Sequence, residues 1–181
     1  MLGWSEAEQC QYGIGGQECQ KLGVKDQAYV QRVNTEFQKI GLRGISLLSA
    51  SGDSGANGRT DPDCTDSILH PDYPGCSPYV TAVGATQITE SSGVAKLPNP
   101  PPGCSGQNCA SGGTEVAVSY DQANFASGGG FSWFAAQPSY QTKAVAAYLA
   151  SGTKMPPASY FNAKGRAYPV RCLSVCLERV T

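Results

Sequence analysis

The 181-residue sequence has few charged residues, a single histidine and no long hydrophobic run. Lys, Arg, Asp and Glu make up 15% of the chain, and its formal net charge is −1 at pH 7. No block of basic residues is present, so we expect no nucleic-acid partner, because a nucleic-acid-binding surface must neutralise phosphates. The longest apolar run, residues 45–50, is far shorter than the roughly 18 residues that span a membrane. We therefore expect no membrane partner.

Cysteine, in contrast, is abundant, with eight residues in the chain. This number is typical of proteins from oxidising compartments, where disulfides persist. The spacing favours local pairs: Cys10 with Cys19, Cys64 with Cys76, and Cys104 with Cys109. A zinc site would require closely spaced cysteine pairs completed by further cysteines or histidines, but His70 is the sole histidine. We therefore predict disulfides and no metal site, with unpaired structural thiols as the remaining alternative.

Residues 25–50 have the pattern of a helix followed by a buried strand. Apolar residues recur at helical spacing from Lys25 to Ile40, with Asp26 suited to the first turn or N-cap and Gly41 suited to the C-cap. The continuous run at residues 45–50 is typical of a strand buried on both faces, and residues 79–86 form a second such run. Helix, short loop and buried strand predict an α/β protein with parallel strands.

The remaining segments are mostly rich in turn-forming residues. We interpret residues 1–24 and 56–78 as loops and residues 91–114 as a Pro/Gly/Ser-rich insertion. Residues 138–149 are predicted to form a short helix. Its expected core-facing residues are Ala144, Val145, Tyr148 and Leu149.

The tetrapeptide at residues 52–55, Gly-Asp-Ser-Gly, follows the first predicted strand. The carboxyl ends of strands are where open α/β sheets place functional groups. The same four residues surround the nucleophile of chymotrypsin-like proteases, but a serine nucleophile needs a base. In those proteases the histidine precedes the serine, whereas His70 follows Ser54. A turn in which Asp53 caps the next segment is the plain alternative.

Two further motifs have simple structural explanations. The acidic segment with Asp61, Asp63 and Asp66 lacks the central glycine and terminal glutamate of an EF-hand. We expect a solvated acidic loop there, with His70 on the surface. The Ser127–Gly130 run could cradle a phosphate, but no Gly-Lys-Ser/Thr follows it. We expect a turn that is flexible or that lets another backbone approach closely.

Six segments, taken in order, resemble one family, the sedolisins, which are serine-carboxyl peptidases with a subtilisin-like fold. The segments are residues 28–36, 49–55, 77–84, 127–132, 137–141 and 161–169. The resemblance implies an α/β, subtilisin-like three-layer fold with a mainly parallel sheet, incomplete at both ends. Residues 1–169 would be a partial peptidase domain. Residues 170–181 depart from the family, which continues with Asp-Val-Ala or Asp-Val-Ser after Pro169, and a frameshift, a retained intron or a gene-model error explains this tail better than true divergence.

What the resemblance implies is acid-pH hydrolysis of a peptide or protein substrate by a Ser-Glu-Asp triad, with tripeptidyl-peptidase activity as one form. Asp53 would supply the oxyanion hole, since a protonated carboxyl can donate a hydrogen bond to a developing oxyanion. Desolvation could raise the pKa of such an aspartate above its usual ~3.9. Gly3 would end the strand that pairs with the substrate backbone. The implied wall of the specificity pocket is Ser127, Gly128, Gly129 and Gly130.

Several groups of the family's site are not found in this sequence. In the family the catalytic Glu and Asp are expected in a helix well upstream of the first residue here, and the nucleophile lies in a downstream Gly-Thr-Ser motif that is absent after Asp53. The family's calcium site lies further toward the C-terminus, so we expect no cofactor in this chain. Met1–Glu6 has no signal-like pattern. We expect an inactive piece of a monomeric enzyme that is secreted or lysosomal (acidic compartment). The alternative is a non-catalytic secreted module that binds peptides or a partner. An unrelated disulfide-framed domain is nearly excluded by the six segments.

Overall fold

The structure is a computed structural model that describes residues 3–61, 63–89, 114–118 and 120–169. Helices within these ranges are α1 (Gly13–Leu22), α2 (Asp26–Leu42), α3 (Tyr120–Ala123) and α4 (Thr142–Leu149). The strands there are β1 (Trp4–Ser5), β2 (Leu48–Ala50), β3 (Asp72–Tyr73), β4 (Thr81–Val83), β5 (Thr86–Thr89), β6 (Thr114–Ala117), β7 (Gly130–Ala136) and β8 (Gly165–Tyr168). Short 3-10 turns occur at Glu6–Glu8 and Ser139–Gln141.

The strands pair two by two within the described ranges. Strands β2 and β4 are parallel, with Leu48 opposite Thr81 and Ala50 opposite Val83. The pairs β1–β3, β5–β6 and β7–β8 are antiparallel. Helix α2 leads into β2, and β2 pairs in parallel with the later strand β4, so the predicted α/β class is confirmed.

Helix α2 is confirmed, but its predicted end is wrong. Gly41 lies inside the helix, which continues to Leu42. The chain leaves the helix at Gly44, where φ is 76°, a left-handed conformation that glycine adopts easily. Around this glycine, the Ile45 N–H donates to the Ile40 carbonyl at 3.4 Å. The stop signal is therefore the second glycine of the segment.

The prediction of a loop at residues 1–24 is wrong, because α1 occupies Gly13–Leu22. This helix is polar and glycine-rich, so its sequence has no apolar periodicity to reveal it. Gly23 ends it in the left-handed conformation, with φ of 64°. The Asp26 carboxylate accepts a hydrogen bond from the Cys10 N–H at 2.7 Å, which ties this region to the first turn of α2. Tertiary contacts thus hold a helix of low intrinsic propensity.

The disulfide predictions have mixed outcomes. Cys10 and Cys19 are bonded, with 5.5 Å between their Cα atoms. Cys76 is a free, buried thiol, so the predicted Cys64–Cys76 pair is wrong, although Cys64 is itself disulfide-bonded. The predicted Cys104–Cys109 pair lies outside the described residues, as do most of the 91–114 insertion and the tail at residues 170–181.

The prediction that β2 and β4 are buried on both faces is wrong. Leu48 is 72% exposed and Val83 is 54% exposed, on the same face of the pair. The other face is packed, since Ala82 contacts a buried cluster. That cluster consists of Val30, Tyr73, Cys76 and Tyr168. The continuous apolar runs therefore predict the strands correctly. Within the described part of the chain, however, one face of the pair is covered and the face with Leu48 and Val83 is exposed.

A second buried cluster lies under α4. It consists of Ala56, Leu69, Phe131, Val145 and Phe161. Val145 faces this core as predicted and Tyr148 packs against it, whereas Ala144 and Leu149 are exposed, so half of the predicted helix face is wrong. Helix α4 is preceded by a 3-10 turn within the predicted 138–149 segment. None of the helices in the described ranges is long and apolar enough to cross a membrane.

Candidate functional site

The turn that carries Asp53 directly follows β2. The Ser51 N–H donates to the Val83 carbonyl at 3.0 Å, which extends the parallel pairing by one residue. Gly52 then has φ of 109°, a conformation that side chains rarely adopt, and a methyl group on it would lie 2.1 Å from Asp72 Oδ2. Asp53 itself is exposed. The backbone of the turn is therefore fixed by close packing while the Asp53 carboxyl remains open to solvent, without the desolvation that its expected role invokes.

The Ser127–Gly130 turn packs directly against the Asp53 turn. The Gly128 N–H donates to the Gly52 carbonyl at 2.7 Å, and the Ala126 N–H donates to the Asp53 carbonyl at 3.1 Å. A methyl group on Gly128 would lie 2.1 Å from the Ser51 carbonyl oxygen, closer than any contact allows. This confirms the prediction that glycine is needed here for close approach of another backbone.

Ser127 connects this turn to a third segment of the chain. It is completely buried, and its Oγ accepts a hydrogen bond from the Ala85 N–H at 2.9 Å. The hydroxyl of Ser51 lies 3.4 Å away. Because one hydroxyl contacts both the β4–β5 connection and the turn after β2, Ser127 holds the two in register.

Gly3, the third predicted element, lies on the other side of Asp72. A methyl group on Gly3 would be 3.2 Å from the Tyr73 carbonyl oxygen and 3.9 Å from Asp72 Cβ. The Asp72 carboxyl in turn contacts Gly52. The structure therefore brings Gly3, the Asp53 turn and the Ser127–Gly130 turn into one region, with Asp72 between the first two.

Asp72 is the central residue that sequence reasoning missed. It is 6% exposed, and its Oδ1 has no hydrogen-bond partner within the described residues. Burial raises the pKa of Asp72 to about 7; the Arg59 cation opposes this effect, and the Glu8 and Asp53 carboxylates add to it. At acid pH the carboxyl is therefore neutral and has a hydrogen to donate. A single acid in a short segment between prolines offers no sequence pattern that could have indicated this role.

Glu6 is a second buried acid that the sequence did not reveal. It is fully buried, and its Oε2 accepts hydrogen bonds from the Ser132 hydroxyl at 2.6 Å and the Cys76 thiol at 3.3 Å. The Trp133 N–H donates to Oε1. Burial raises the pKa of Glu6, and these hydrogen bonds partly oppose the shift. Glu6 thus joins the segment after Gly3 to strand β7.

An aromatic stack adjoins Gly3 along the chain. The rings of Trp4 and Tyr12 are 4.3 Å apart at a 20° angle, and Arg59 Cζ lies 4.2 Å above the Trp4 ring. The stacked cation is attracted by the electrons of the indole ring. The charge of Arg59 also lowers the pKa of Asp72, so the cation on the aromatic stack is electrostatically coupled to the buried acid.

The acidic loop has its predicted solvated form only in part, since Asp63 and Asp66 are exposed but Asp61 is not. Asp61 is buried and the His70 side chain is 12% exposed, whereas Asp66 is exposed. Oxygen and nitrogen atoms of these three residues lie within 4.8 Å of one another, and His70 Nε2 is 2.7 Å from Asp66 Oδ2. Burial acts to raise the pKa of Asp61, but hydrogen bonds from Thr65 and Asp66 outweigh it and lower the pKa. These hydrogen bonds explain why the Asp61 carboxylate is buried, since it accepts from backbone and side-chain donors of the loop that follows it.

The chain is similar to several known proteins over most of its length, although no protein-family model matches it. Physarolisin from Physarum polycephalum is 44% identical over 170 residues, which are 92% of this chain and 29% of that protein. Tripeptidyl-peptidase 1 from Homo sapiens is 40% identical over 147 residues, 78% of this chain and 21% of that protein. The chain therefore spans less than a third of these relatives. A solved structure of Pseudomonas sedolisin, a serine-carboxyl proteinase complexed with two molecules of pseudo-iodotyrostatin, aligns with 93% of this chain and 34% of that one at 22% identity and a TM-score of 0.49.

Proposed function

Because this chain belongs to the sedolisin family, we propose that it forms the substrate-binding face and the oxyanion-stabilising part of a serine-type peptidase that acts in acid. The observation that carries the proposal is the convergence of Gly3, the Asp53 turn and the Ser127–Gly130 turn around Asp72. The name of the tripeptidyl-peptidase relatives supports release of tripeptides by the complete protein. Its proposed location is a secreted or lysosomal acidic compartment.

The proposed peptide site is the edge of β1 that does not face β3, next to Gly3. Within the described ranges, β1 pairs with β3 alone, through Trp4 opposite Tyr73 and Ser5 opposite Asp72. On its second edge Gln9 Nε2 donates to the Ser5 carbonyl at 3.1 Å, and an extended peptide that pairs there by main-chain hydrogen bonds would displace this contact. The absence of a side chain on Gly3 lets a peptide backbone approach closely.

Asp53 is the proposed oxyanion donor. The contacts of Gly52 and Gly128 hold the backbone of its turn in place and leave the carboxyl exposed. A preorganised donor of this kind typically contributes about 10²–10³ in rate. The donor must be protonated, so the reaction belongs to acid pH. The attacking serine and its base would come from other parts of the complete protein, and we propose that the 181-residue chain binds peptides without cleaving them.

The test uses the purified 181-residue chain and an acetylated, amidated tetra-alanine peptide at about pH 4, near the usual pKa of a carboxyl. Isothermal titration should detect binding, and mass spectrometry should detect no cleavage. The matched ligand is the same peptide with N-methylated backbone amides, which should bind at least about tenfold more weakly because strand pairing needs those donors. Equal affinity for both peptides would refute the edge site. Cleavage that Asp53→Ala abolishes would refute the proposed lack of activity.

An independent binding module makes a different demand on the chain. Such a module must fold as a soluble monomer, and the exposed Leu48 and Val83 form an apolar face that favours association instead. Sedimentation and thermal unfolding separate the two cases. Cooperative unfolding of a monomer would favour the module, whereas association through the β2–β4 face agrees with a piece of a larger domain.

A further inference from the structure

A pocket of about 620 Å³ lies at the opposite end of the β2–β4 pair from Asp53. It is bordered by the segments that enter the two strands and by the 3-10 turn that precedes α4. The lining residues that matter here are Ile45, Ser46, Leu47, Tyr79, Tyr140 and Arg166. The volume is in the range of small-molecule sites. Because it is at the other end of the strands, this pocket is separate from the site formed by Gly3, Asp53 and Ser127–Gly130.

Arg166 gives the pocket an unbalanced positive charge. The residue is 6% exposed, and it makes no ion pair with any carboxylate in the part of the chain that the structure describes. Its Nη2 donates to the Val80 carbonyl at 3.3 Å, whereas its Nε has no partner. A buried, unpaired cation is costly, and the lowered pKa of Arg166 reflects this burial.

Tyr140 supplies a second polar group at the same place. Its hydroxyl donates to the Pro78 carbonyl at 3.0 Å, and Tyr140 also raises the pKa of Arg166 against the effect of burial. Since the hydroxyl proton is used by Pro78, the Tyr140 oxygen can act toward the guanidinium only as an acceptor. Arg166 therefore meets neutral acceptors, Tyr140 and Val80, that hold it in place without neutralising it.

We propose that this pocket binds a carboxylate that carries an apolar group. A guanidinium matches a carboxylate in shape and charge, and Arg166 lines the pocket with no carboxylate partner among the described residues. No second cation is present among the described lining residues. Arg166 can therefore balance one negative charge of a ligand, whereas the second charge of a phosphate dianion would stay unbalanced. Ile45 and Leu47 supply the apolar wall for the remainder of the ligand. The proposal is independent of the peptidase function.

The test compares two ligands that differ only in charge. N-acetyl-L-leucine carries the carboxylate, and N-acetyl-L-leucinamide is its neutral counterpart. We expect titration calorimetry at neutral pH to give a Kd of about 1 mM or tighter for the acid, and at least about tenfold weaker binding of the amide. Equal binding of the two ligands, or no binding of the acid up to about 10 mM, would overturn the proposal.

Two variants locate the binding without touching the buried arginine. Ser46→Trp fills the pocket from an exposed position and should reduce binding of the acid at least tenfold, whereas Gln38→Trp, on the exposed face of α2, should leave it unchanged. Retained binding in Ser46→Trp would refute this location. A carboxylate of the chain itself is the other source, and Glu178→Gln examines it. Unchanged affinity supports a separate ligand, and a tenfold gain would show internal competition and contradict it.

Discussion

The buried carboxyl of Asp72 should make the fold more stable in acid than at neutral pH. Burial raises its pKa from the ordinary 3.8 to about 7, against the opposing charge of Arg59. A carboxyl with a raised pKa binds its proton more tightly in the folded state than in the unfolded state. Its stabilising contribution is therefore complete below the unfolded pKa and is lost as the pH rises through the folded one, so the relevant window is about pH 4 to pH 7.

The size of the effect follows from the same shift. A change from 3.8 to about 7 corresponds to about 4 kcal/mol, at about 1.4 kcal/mol for each pH unit. Because Asp72 is 6% exposed, solvent screening reduces this value little. Glu6, also buried with a raised pKa, acts in the same direction. A loss of this size is a large share of the roughly 5–15 kcal/mol that stabilises a typical domain.

The assay is urea unfolding followed by tryptophan fluorescence at several values from about pH 4 to about pH 8. The free energy of unfolding should fall by about 4 kcal/mol across this range, while Asp72→Asn, which imitates the neutral carboxyl, should lose much less. Glu36→Gln is the matched control, because Glu36 is exposed in a surface pair with Lys39 that contributes about 0–1 kcal/mol. A wild-type free energy that does not change with pH, or the same slope in Asp72→Asn, would refute the reasoning.

Two other substitutions test the packing. Gly128→Ala should lower the free energy of unfolding by about 2–4 kcal/mol, because the methyl group overpacks against Ser51 and a backbone hydrogen bond is lost. Gly41→Ala, at an open helical position, is the control and should change the free energy of unfolding by less than about 1 kcal/mol. Urea midpoints that are similar for the two variants would contradict the argument. Replacing Cys10 and Cys19 together by serine should cost about 2–3 kcal/mol, since their disulfide closes a short loop; a thermal midpoint equal to that of the wild type would show that the bond does not constrain the chain.

The sequence predicts those elements whose burial repeats with the period of the structure. Helix α2 is the clearest example, because Val30 and the residues at helical spacing from it pack on one side. Helix α1 has no such stripe, and contacts distant in sequence, including the Asp26–Cys10 hydrogen bond, hold it in place. The burial of β2 could not be predicted for a related reason. The apolar run that includes Leu48 indicates that the strand can be buried on both faces. It does not indicate whether other parts of the chain cover both of those faces.

The site divides in the same manner between residues with a pattern and residues without one. Gly52 and Gly128 are recognisable because only glycine permits their close contacts. The presence of glycine therefore indicates that no side chain fits at these positions. Asp72 and Glu6 contradict the general tendency of acids to be exposed. Their burial depends on partners far along the chain, such as Tyr168 for Asp72 and Ser132 for Glu6. No local rule could have found them.

The buried acids also link the stability of the fold to the chemistry proposed for Asp53. Asp72 contacts Gly52, and the Asp53 charge is one of the causes that raise the pKa of Asp72. Above about pH 7 the Asp72 carboxylate would be ionised against the turn that positions Asp53, so the turn loses stability as the pH rises through this value. The contribution of Asp72 is separable from that of Asp53, because Asp72→Asn should retain the turn at neutral pH and leaves the Asp53 side chain unaltered. If peptide binding by this variant persists at pH values where the wild type has lost it, the fold and not the oxyanion donor sets the upper pH limit of binding.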